Sequence, residues 1–560
     1  MMSFPRANLV VFLFLLISLS SCTSVPTYSK VAIATAHPLA TQAGLDILNQ
    51  GGNAFDAAVA VSAVLAVVEP TGSGLGGGGF WLLHREHDNF QIMIDGRETA
   101  PNAAHRDMYL GPNGENEEKL SLNGPLAAGI PGLPAALDHI NQKYGRLSLK
   151  QTLAPAIVHA KSGFKVTSHY QSMAQLRFQT LQNSPAAAEI FLEYNSIPKI
   201  GHVIRQLDLA HTLEQLASLG RNGFYQGAVA NKLIQGVQAA GGIWTQRDLR
   251  DYQVKERQPI IGTYQDYKIT SASLPSSGGI VLSTILNQLE HLPMSEVDEA
   301  QQRHFIIEAM RRAYFDRSYY LGDSDFVTIP DHLSTKAYAQ NLAATINADR
   351  ASHNKLLIDD LAKGEDTTHF SIIDQYGNRV AATLSINYPF GSGFVPPGTG
   401  VLLNDEMDDF SARIGTANVY GLVGNEANSI AANKRPLSSM SPTFIENDQH
   451  LMIIGTPGGS RIITMVLLGI LDFIEQKPAK DIVSSPRFHH QYLPNKVQIE
   501  SSGFSKEERQ AILAYGHDIQ ELTRQYGNMQ IIIYDKITQE LEAASDPRGE
   551  GQARVESLSH

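Results

Sequence analysis

The sequence predicts an α/β fold in which sheets are covered by helices, and three stretches carry that expectation. Ala54 to Val68 is apolar on nearly all sides, the pattern of a helix buried all round. His369–Asp374 and Arg379–Ile386, joined by Gln375-Tyr-Gly-Asn378, read as the two strands of a hairpin and its turn. Leu451–Ile454 reads as another strand, followed by Gly455-Thr-Pro-Gly-Gly459 as a turn and Ser460–Ile474 as a long apolar helix. Strand pairs followed by buried helices belong to layered sheets.

Taken in order, Val31–Ala34 is the first predicted strand. Leu39–Asn49 has helical spacing and ends at Gly51-Gly52, a C-cap signal. Asn53 caps the next helix, Ala54–Val68, which stops at Glu69-Pro70. A glycine-rich run, Thr71 to Gly79, leads into a strand over Phe80–His84. Gly72, Gly74 and Gly77 have the spacing of a dinucleotide fingerprint, but that motif needs strand, glycines, helix, whereas the order here is helix, glycines, strand. Close backbone approach in a tight turn explains them instead. Residues 120–360 read as mostly helical with short breaks, among them Pro275-Ser-Ser-Gly-Gly279 before a helix. No repeat, low-complexity tract or long linker interrupts the chain.

The chain has 560 residues, 43% of them hydrophobic and 18% charged, with a net charge of −12. No run of Lys or Arg forms the basic stripe of a nucleic-acid binder. The first residues, 1–21, read as an export signal: Arg6 precedes the apolar stretch Leu9–Ile17, which is shorter than the roughly 20 residues that span a bilayer. Cys22, the only cysteine, follows Leu19-Ser-Ser. It makes no internal disulfide, and its setting predicts a bacterial lipobox in which the thiol carries the lipid of a membrane anchor. Thr23 in place of aspartate points to outer-membrane sorting in a Gram-negative bacterium, on the periplasmic side.

The chemistry gathers around Glu365-Asp-Thr-Thr-His369. A Thr-Thr pair at the mouth of a strand is ordinary by itself. The hairpin, however, brings Ser385 and Asn387 back beside Thr367, and further polar groups follow at Glu406, Asp409, Ser438 and Ser439, with Gly458 and Gly459 opening a helix.

At these positions the sequence resembles the γ-glutamyltranspeptidase family. The strings are Gln50-Gly-Gly-Asn-Ala-Phe-Asp-Ala-Ala, Gly76-Gly-Gly-Gly-Phe80, Asp366-Thr-Thr-His-Phe-Ser371, Met407-Asp-Asp-Phe410, Arg435-Pro-Leu-Ser-Ser-Met-Ser-Pro442, Gly455-Thr-Pro-Gly-Gly-Ser-Arg461, Pro486-Arg-Phe-His-His490 and Ser545-Asp-Pro-Arg548. The resemblance implies an N-terminal-nucleophile hydrolase fold, a four-layer αββα sandwich. It also implies self-cleavage before Thr367 into a large subunit, 22–366, and a small catalytic subunit, 367–560, that stay together as a heterodimer. A threonine hydroxyl needs an adjacent base, and the freed α-amine, with an ordinary pKa of about 7.7–8.0, supplies one. The implied reaction transfers a γ-glutamyl group from glutathione or another donor, through an ester on Thr367, to water or to an amino acid or peptide amine. No cofactor or metal is expected.

The resemblance assigns the remaining roles. Gly458 and Gly459 are the implied oxyanion donors. Arg97 is the implied clamp on the substrate α-carboxylate, because its fork meets a carboxylate bidentately. Ser438 and Ser439 donate to the same group. Glu406 and Asp409, helped by Asn387, accept from the α-ammonium. Ser385 aligns the nucleophile, in a position where many relatives have threonine; at position 406 some have glutamine. Ile414 to Val423 resembles a lid loop with Tyr420 as its gate, which restricts access of water and large substrates. His489-His490 lacks a third ligand at metal-site spacing and reads as a structural pair. The alternatives are a glutaryl or cephalosporin acylase of the same fold, whose substrates lack the α-ammonium, and a non-catalytic binding lipoprotein, for which loss of Thr367 would have spoken.

Overall fold

In the computed structural model of the chain, residues 30–111, 113, 118–352, 367–413 and 415–558 are described. The predicted export signal, Cys22, Asp366 and Ile414 lie outside the described residues.

Two antiparallel sheets form the centre. The first has seven strands, in the order Gln552–Glu556, Val31–Thr35, Thr368–Ile373, Arg379–Ser385, Gly78–Arg85, Phe90–Asp95 and Lys255–Arg257. The second has six, in the order Leu541–Ser545, Gln530–Asp535, His450–Gly455, Thr443–Glu446, Tyr267–Ser271 and Ile260–Tyr264. The sheets pack face to face, with Thr368–Ile373 and Arg379–Ser385 against His450–Gly455. Helices Pro38–Asn49 and Ala54–Val68 cover the first sheet, with Leu149–Ser162 packed on Ala54–Val68, and Gly278–Leu289 and Ile462–Ile474 cover the second, with Glu299–Tyr320 packed on Gly278–Leu289. The result is the αββα sandwich.

Side-chain alternation divides the core in two. In Gly78–Arg85, Trp81 and Leu83 join the cluster under the first helix layer, whereas Phe80 and Leu82 join the one facing the second sheet. A strand covered on both faces reads as a continuous apolar run. The helix Ala54–Val68 is buried at every position. Its start is fixed by a capping box: Asn53 Oδ1 accepts from the N–H groups of Phe55 and Asp56, each at 3.0 Å, while Asp56 Oδ2 accepts from Asn53 N–H at 3.0 Å. Such a cap contributes about 1 kcal/mol. Asp374, at the hairpin turn, accepts from Ala54 N–H at 2.8 Å and ties the hairpin to this helix.

The glycine run lets three backbones meet. A Cβ on Gly76 would stand 2.0 Å from the carbonyl oxygen of Leu402, and one on Gly77 would stand 2.2 Å from that of Ser385. Both contacts are closer than any side chain permits, which accounts for glycine there without a nucleotide.

Residues 120–360 depart from the mostly helical expectation. They contain the strands Lys255–Arg257, Ile260–Tyr264 and Tyr267–Ser271. The first is all polar and the second holds Gly262, so neither carries a strong strand pattern; both lie at sheet edges, where polar side chains suit solvent. The helix expected from Ser460 begins at Ile462, after the short 3₁₀ turn Gly459–Arg461.

Candidate active site

Thr367 stands at the entry of the strand Thr368–Ile373, in the middle of the first sheet. Antiparallel pairing sets Leu384 opposite Thr368, so Ser385 comes opposite Thr367 and their hydroxyl oxygens lie 3.4 Å apart. Ser385 Oγ accepts from Asn387 N–H at 2.8 Å. Asn387 has φ 74°, in the left-handed region that asparagine tolerates. Its side chain donates to the carbonyl of Asp405 at 3.0 Å, and its own carbonyl accepts from the Tyr420 hydroxyl at 2.6 Å. The loop carrying Tyr420 is therefore closed over the site, and the Tyr420 ring lies against Gly459.

Arg97 follows the strand Phe90–Asp95 and is buried. Its guanidinium donates to Glu406 Oε2, to Asp409 Oδ2 at 2.5 Å and to the Pro436 carbonyl at 3.3 Å. The predicted carboxylate clamp and the two predicted ammonium acceptors are thus one another's partners. Asn404 holds their loop in place. It donates to the carbonyls of Gly76 at 2.6 Å and Gly129 at 2.8 Å, and accepts from Gly129 N–H at 2.9 Å and Glu406 N–H at 3.0 Å.

Burial pushes the Glu406 carboxyl up, to about 7, against the pull of Arg97 and with the help of the Asp409 charge. Glu98 lies 3.6 Å from Arg97 with neither oxygen hydrogen-bonded among the described residues. Burial, then the Glu406 charge, raise its carboxyl well above the ordinary range. Arg97 stays charged, because Glu406, Asp409 and Glu98 outweigh its desolvation.

Ser438 and Ser439 reach the site from the segment before the strand Thr443–Glu446. Ser438 Oγ accepts from Met440 N–H at 3.1 Å. Gly458 and Gly459 precede the helix Ile462–Ile474, and neither of their N–H groups donates to another described residue. One small cleft collects Thr367, Ser385, Asn387, Glu406, Asp409 and Arg97 on its walls, with Ser438, Ser439, Tyr420 and Gly459. Gly458, the preceding residue, is not on its wall. On its other side Thr367 borders a larger cleft walled by Glu69, Tyr170 and Arg524. His489 and His490 lie elsewhere, both buried. The first bonds to Thr464 and Gln491, each at 2.8 Å, and the second to Asn495 at 3.3 Å.

The family model for gamma-glutamyltranspeptidase matches residues 40–555. This chain belongs to the γ-glutamyltranspeptidase family. Among γ-glutamyltranspeptidase relatives, it is 41% identical over 525 residues to the glutathione hydrolase proenzyme of Escherichia coli (strain K12), covering 92% of this chain and 90% of that one. It is similar to the solved γ-glutamyltranspeptidase of Helicobacter pylori, with a TM-score of 0.55 and 40% identity, over 57% of this chain and 92% of that one. The cephalosporin acylase of Bacillus halodurans superposes with a TM-score of 0.83 at 26% identity, over 98% of this chain and 97% of that one. The sandwich is therefore the N-terminal-nucleophile hydrolase fold, common to γ-glutamyltranspeptidases and the acylase, and the sequence identity lies with the former.

Within this γ-glutamyltranspeptidase site one polar residue escaped the sequence reading. Arg317, on the helix Glu299–Tyr320, lines the cleft beside Ser439 and is buried. The available signal was positional. It follows the buried Tyr314 by three residues and the buried Met310 by seven, so it falls on the packed face of the helix, where an arginine requires a reason.

Proposed function

We propose that the chain cuts itself before Thr367 and then transfers γ-glutamyl groups, from glutathione and related donors, to water or to amino acid and peptide amines. The observation that carries this reading is the pairing of the Thr367 and Ser385 hydroxyls beside a cleft holding both buried arginine and buried carboxylates. A γ-glutamyl donor presents an α-carboxylate and an α-ammonium on one carbon, and the cleft offers groups for each. The glutathione hydrolase name of relatives 41% identical points the same way.

Cleavage turns the backbone nitrogen of Thr367 into a free amine. That amine takes the hydroxyl proton as Thr367 Oγ1 attacks the γ-carbonyl carbon. The carbonyl oxygen becomes an oxyanion in front of Gly458 and Gly459, whose N–H groups are poised to donate. Collapse expels the leaving amine, which takes the proton back from the α-ammonium, and leaves a γ-glutamyl ester on Thr367. Water or an acceptor amine repeats the steps and frees the enzyme. Ser385 orients Thr367; Arg97, Ser438 and Ser439 hold the α-carboxylate; Glu406, Asp409 and Asn387 hold the α-ammonium; Tyr420 closes the lid. The purified protein should run as two fragments, the smaller beginning Thr-Thr-His-Phe-Ser, and should release p-nitroaniline from γ-glutamyl-p-nitroanilide. A protein that hydrolyses this donor while remaining one chain would overturn the mechanism.

Glu406 gives the reaction a pH signature. Below about 7 its carboxyl is protonated and cannot accept fully from an ammonium; above, it is an anion. The KM for γ-glutamyl-p-nitroanilide should therefore fall as pH rises from 6 to 8, and Glu406→Gln should flatten that limb. A limb unchanged by the substitution would assign it to the α-amine of Thr367 instead.

The start of the chain supports export and lipid anchoring at Cys22, on the periplasmic side of the outer membrane. One acyl chain holds a protein only marginally and two hold it stably. Cys22→Ala should move active enzyme from the membrane fraction to the soluble one in the native bacterium. Wild-type enzyme recovered without lipid would refute the anchor.

A further inference from the structure

The two arginines of the cleft are unequally matched. Arg97 already faces Glu406 and Asp409 in direct contact, with Glu98 at 3.6 Å. Arg317 has no carboxylate within 4 Å among the described residues. It bonds to neutral hydroxyls: Nε donates to Ser277 Oγ at 2.9 Å, and Nη2 donates to Ser439 Oγ at 3.0 Å. The Asp409 charge acts on it without direct contact; a buried cation with no directly paired carboxylate is costly, and this one lines the small polar cleft.

The hydrogen-bond directions say what it does there. A guanidinium is a donor only, so Ser439 Oγ must accept from Arg317 and keeps its own proton to give. Ser438 Oγ accepts from Met440 N–H in the same way. Both hydroxyls are thereby set as donors facing one cleft, which suits the two oxygens of a carboxylate. Ser277 fixes the arrangement: its hydroxyl accepts from Arg317 and donates to the Ser438 carbonyl at 2.7 Å, to which its N–H also donates at 2.9 Å. The helix Glu299–Tyr320, the Ser276-Ser277 turn and the Ser438-Ser439 segment form one rigid cradle.

We propose that Arg317 is a positioning and specificity-determining residue of the donor site: it orients the Ser439 hydroxyl toward the substrate α-carboxylate and supplies the positive charge that this carboxylate needs beside an Arg97 already surrounded by carboxylates. The proposal rests on the γ-glutamyl reading above and adds a residue to it. The substrate carboxylate is the anion that pairs with it directly.

The test compares two p-nitroanilide donors, γ-glutamyl and 4-aminobutyryl, which differ only in the α-carboxylate. In Arg317→Gln the preference for γ-glutamyl over 4-aminobutyryl in kcat/KM should fall by about 30-fold or more, carried by KM, as when a charge-assisted contact is lost. In Arg317→Lys, which keeps the charge but not the fork, the preference should fall by several-fold, again in KM. If Arg317→Gln does not fold, the lysine variant decides alone. A merely structural arginine would lower both donors by one factor, and an unchanged preference in either variant would overturn the proposal. Wild-type enzyme that fails to hydrolyse γ-glutamyl-p-nitroanilide would refute the γ-glutamyl reading instead, a result distinct from any variant's preference.

Discussion

Thr367→Ala should yield a protein that remains a single chain and loses at least about 10⁴-fold of its activity toward γ-glutamyl-p-nitroanilide, because nucleophile and base disappear together. The alanine has no hydroxyl to attack the preceding carbonyl, so the chain is not cut. Without the cut there is no α-amine to accept a proton. The fold should survive: Thr367 precedes rather than joins the ladder that begins at Thr368, and its hydroxyl contact to Ser385 is long, at 3.4 Å. Denaturing electrophoresis, circular dichroism and the anilide assay on the same sample check the three parts. A variant that is cut at the normal place, or that keeps appreciable activity uncut, would remove Thr367 from the nucleophile's role.

The second large effect concerns the choice of donor. Glutaryl-p-nitroanilide differs from the γ-glutamyl compound only by lacking the α-ammonium, and it is the kind of donor an acylase takes. Bound in the cleft, it would leave Asp409 and Glu406 without the partner they are set to hold. Sites built around a polar group reject an analogue lacking it by roughly 10⁴-fold or more when dry. Asp409 is 13% exposed at its side chain, which favours the lower end of that range. Asp409→Asn should collapse the preference, mainly by slowing the γ-glutamyl donor about 10²–10³-fold, in line with about 3–5 kcal/mol for one partner removed from a buried charge pair. Arg97 would keep Glu406, so the clamp should stay in place. Comparable wild-type rates on the two donors would instead favour the acylase reading.

The parts of this site that are close along the chain are the ones the sequence makes legible. The hairpin from Thr368 to Ser385 has an apolar pattern and a short turn, and its register alone brings Ser385 to Thr367. The capped helix Ala54–Val68 is equally plain, since its cap and its apolar run are contiguous. Arg97, Glu406 and Ser439 come together only through the packing of distant segments, and resemblance to a family rather than spacing singles them out. Their mutual pairing was not readable at all, because it depends on rotamers. Arg317 shows a further limit. Its helix has polar and charged residues on its buried face as well, among them His304, Glu308 and Arg311, so one more buried charge does not stand out. The edge strands were hidden for the opposite reason: Lys255–Arg257 is three residues long and all polar, and Ile260–Tyr264 is short and broken by Gly262.

The order of strands in the first sheet has a consequence for the life of the molecule. Gln552–Glu556 pairs with Val31–Thr35, which pairs with Thr368–Ile373, which pairs with Arg379–Ser385, which pairs with Gly78–Arg85. Segments from before and after Thr367 are interleaved across the sheet. Once the bond before Thr367 is cut, neither fragment can leave without tearing hydrogen-bonded ladders and two cores, so the pair should stay associated even at extreme dilution. The journey back is different. The uncut chain folds as one molecule, at a rate independent of concentration. The mature pair, once denatured, must first meet again by diffusion, and each fragment alone exposes unpaired sheet edges that invite aggregation. The proposed cut would thus make folding a one-way event: persistence of the cut enzyme would become a matter of how slowly it unfolds rather than of any equilibrium.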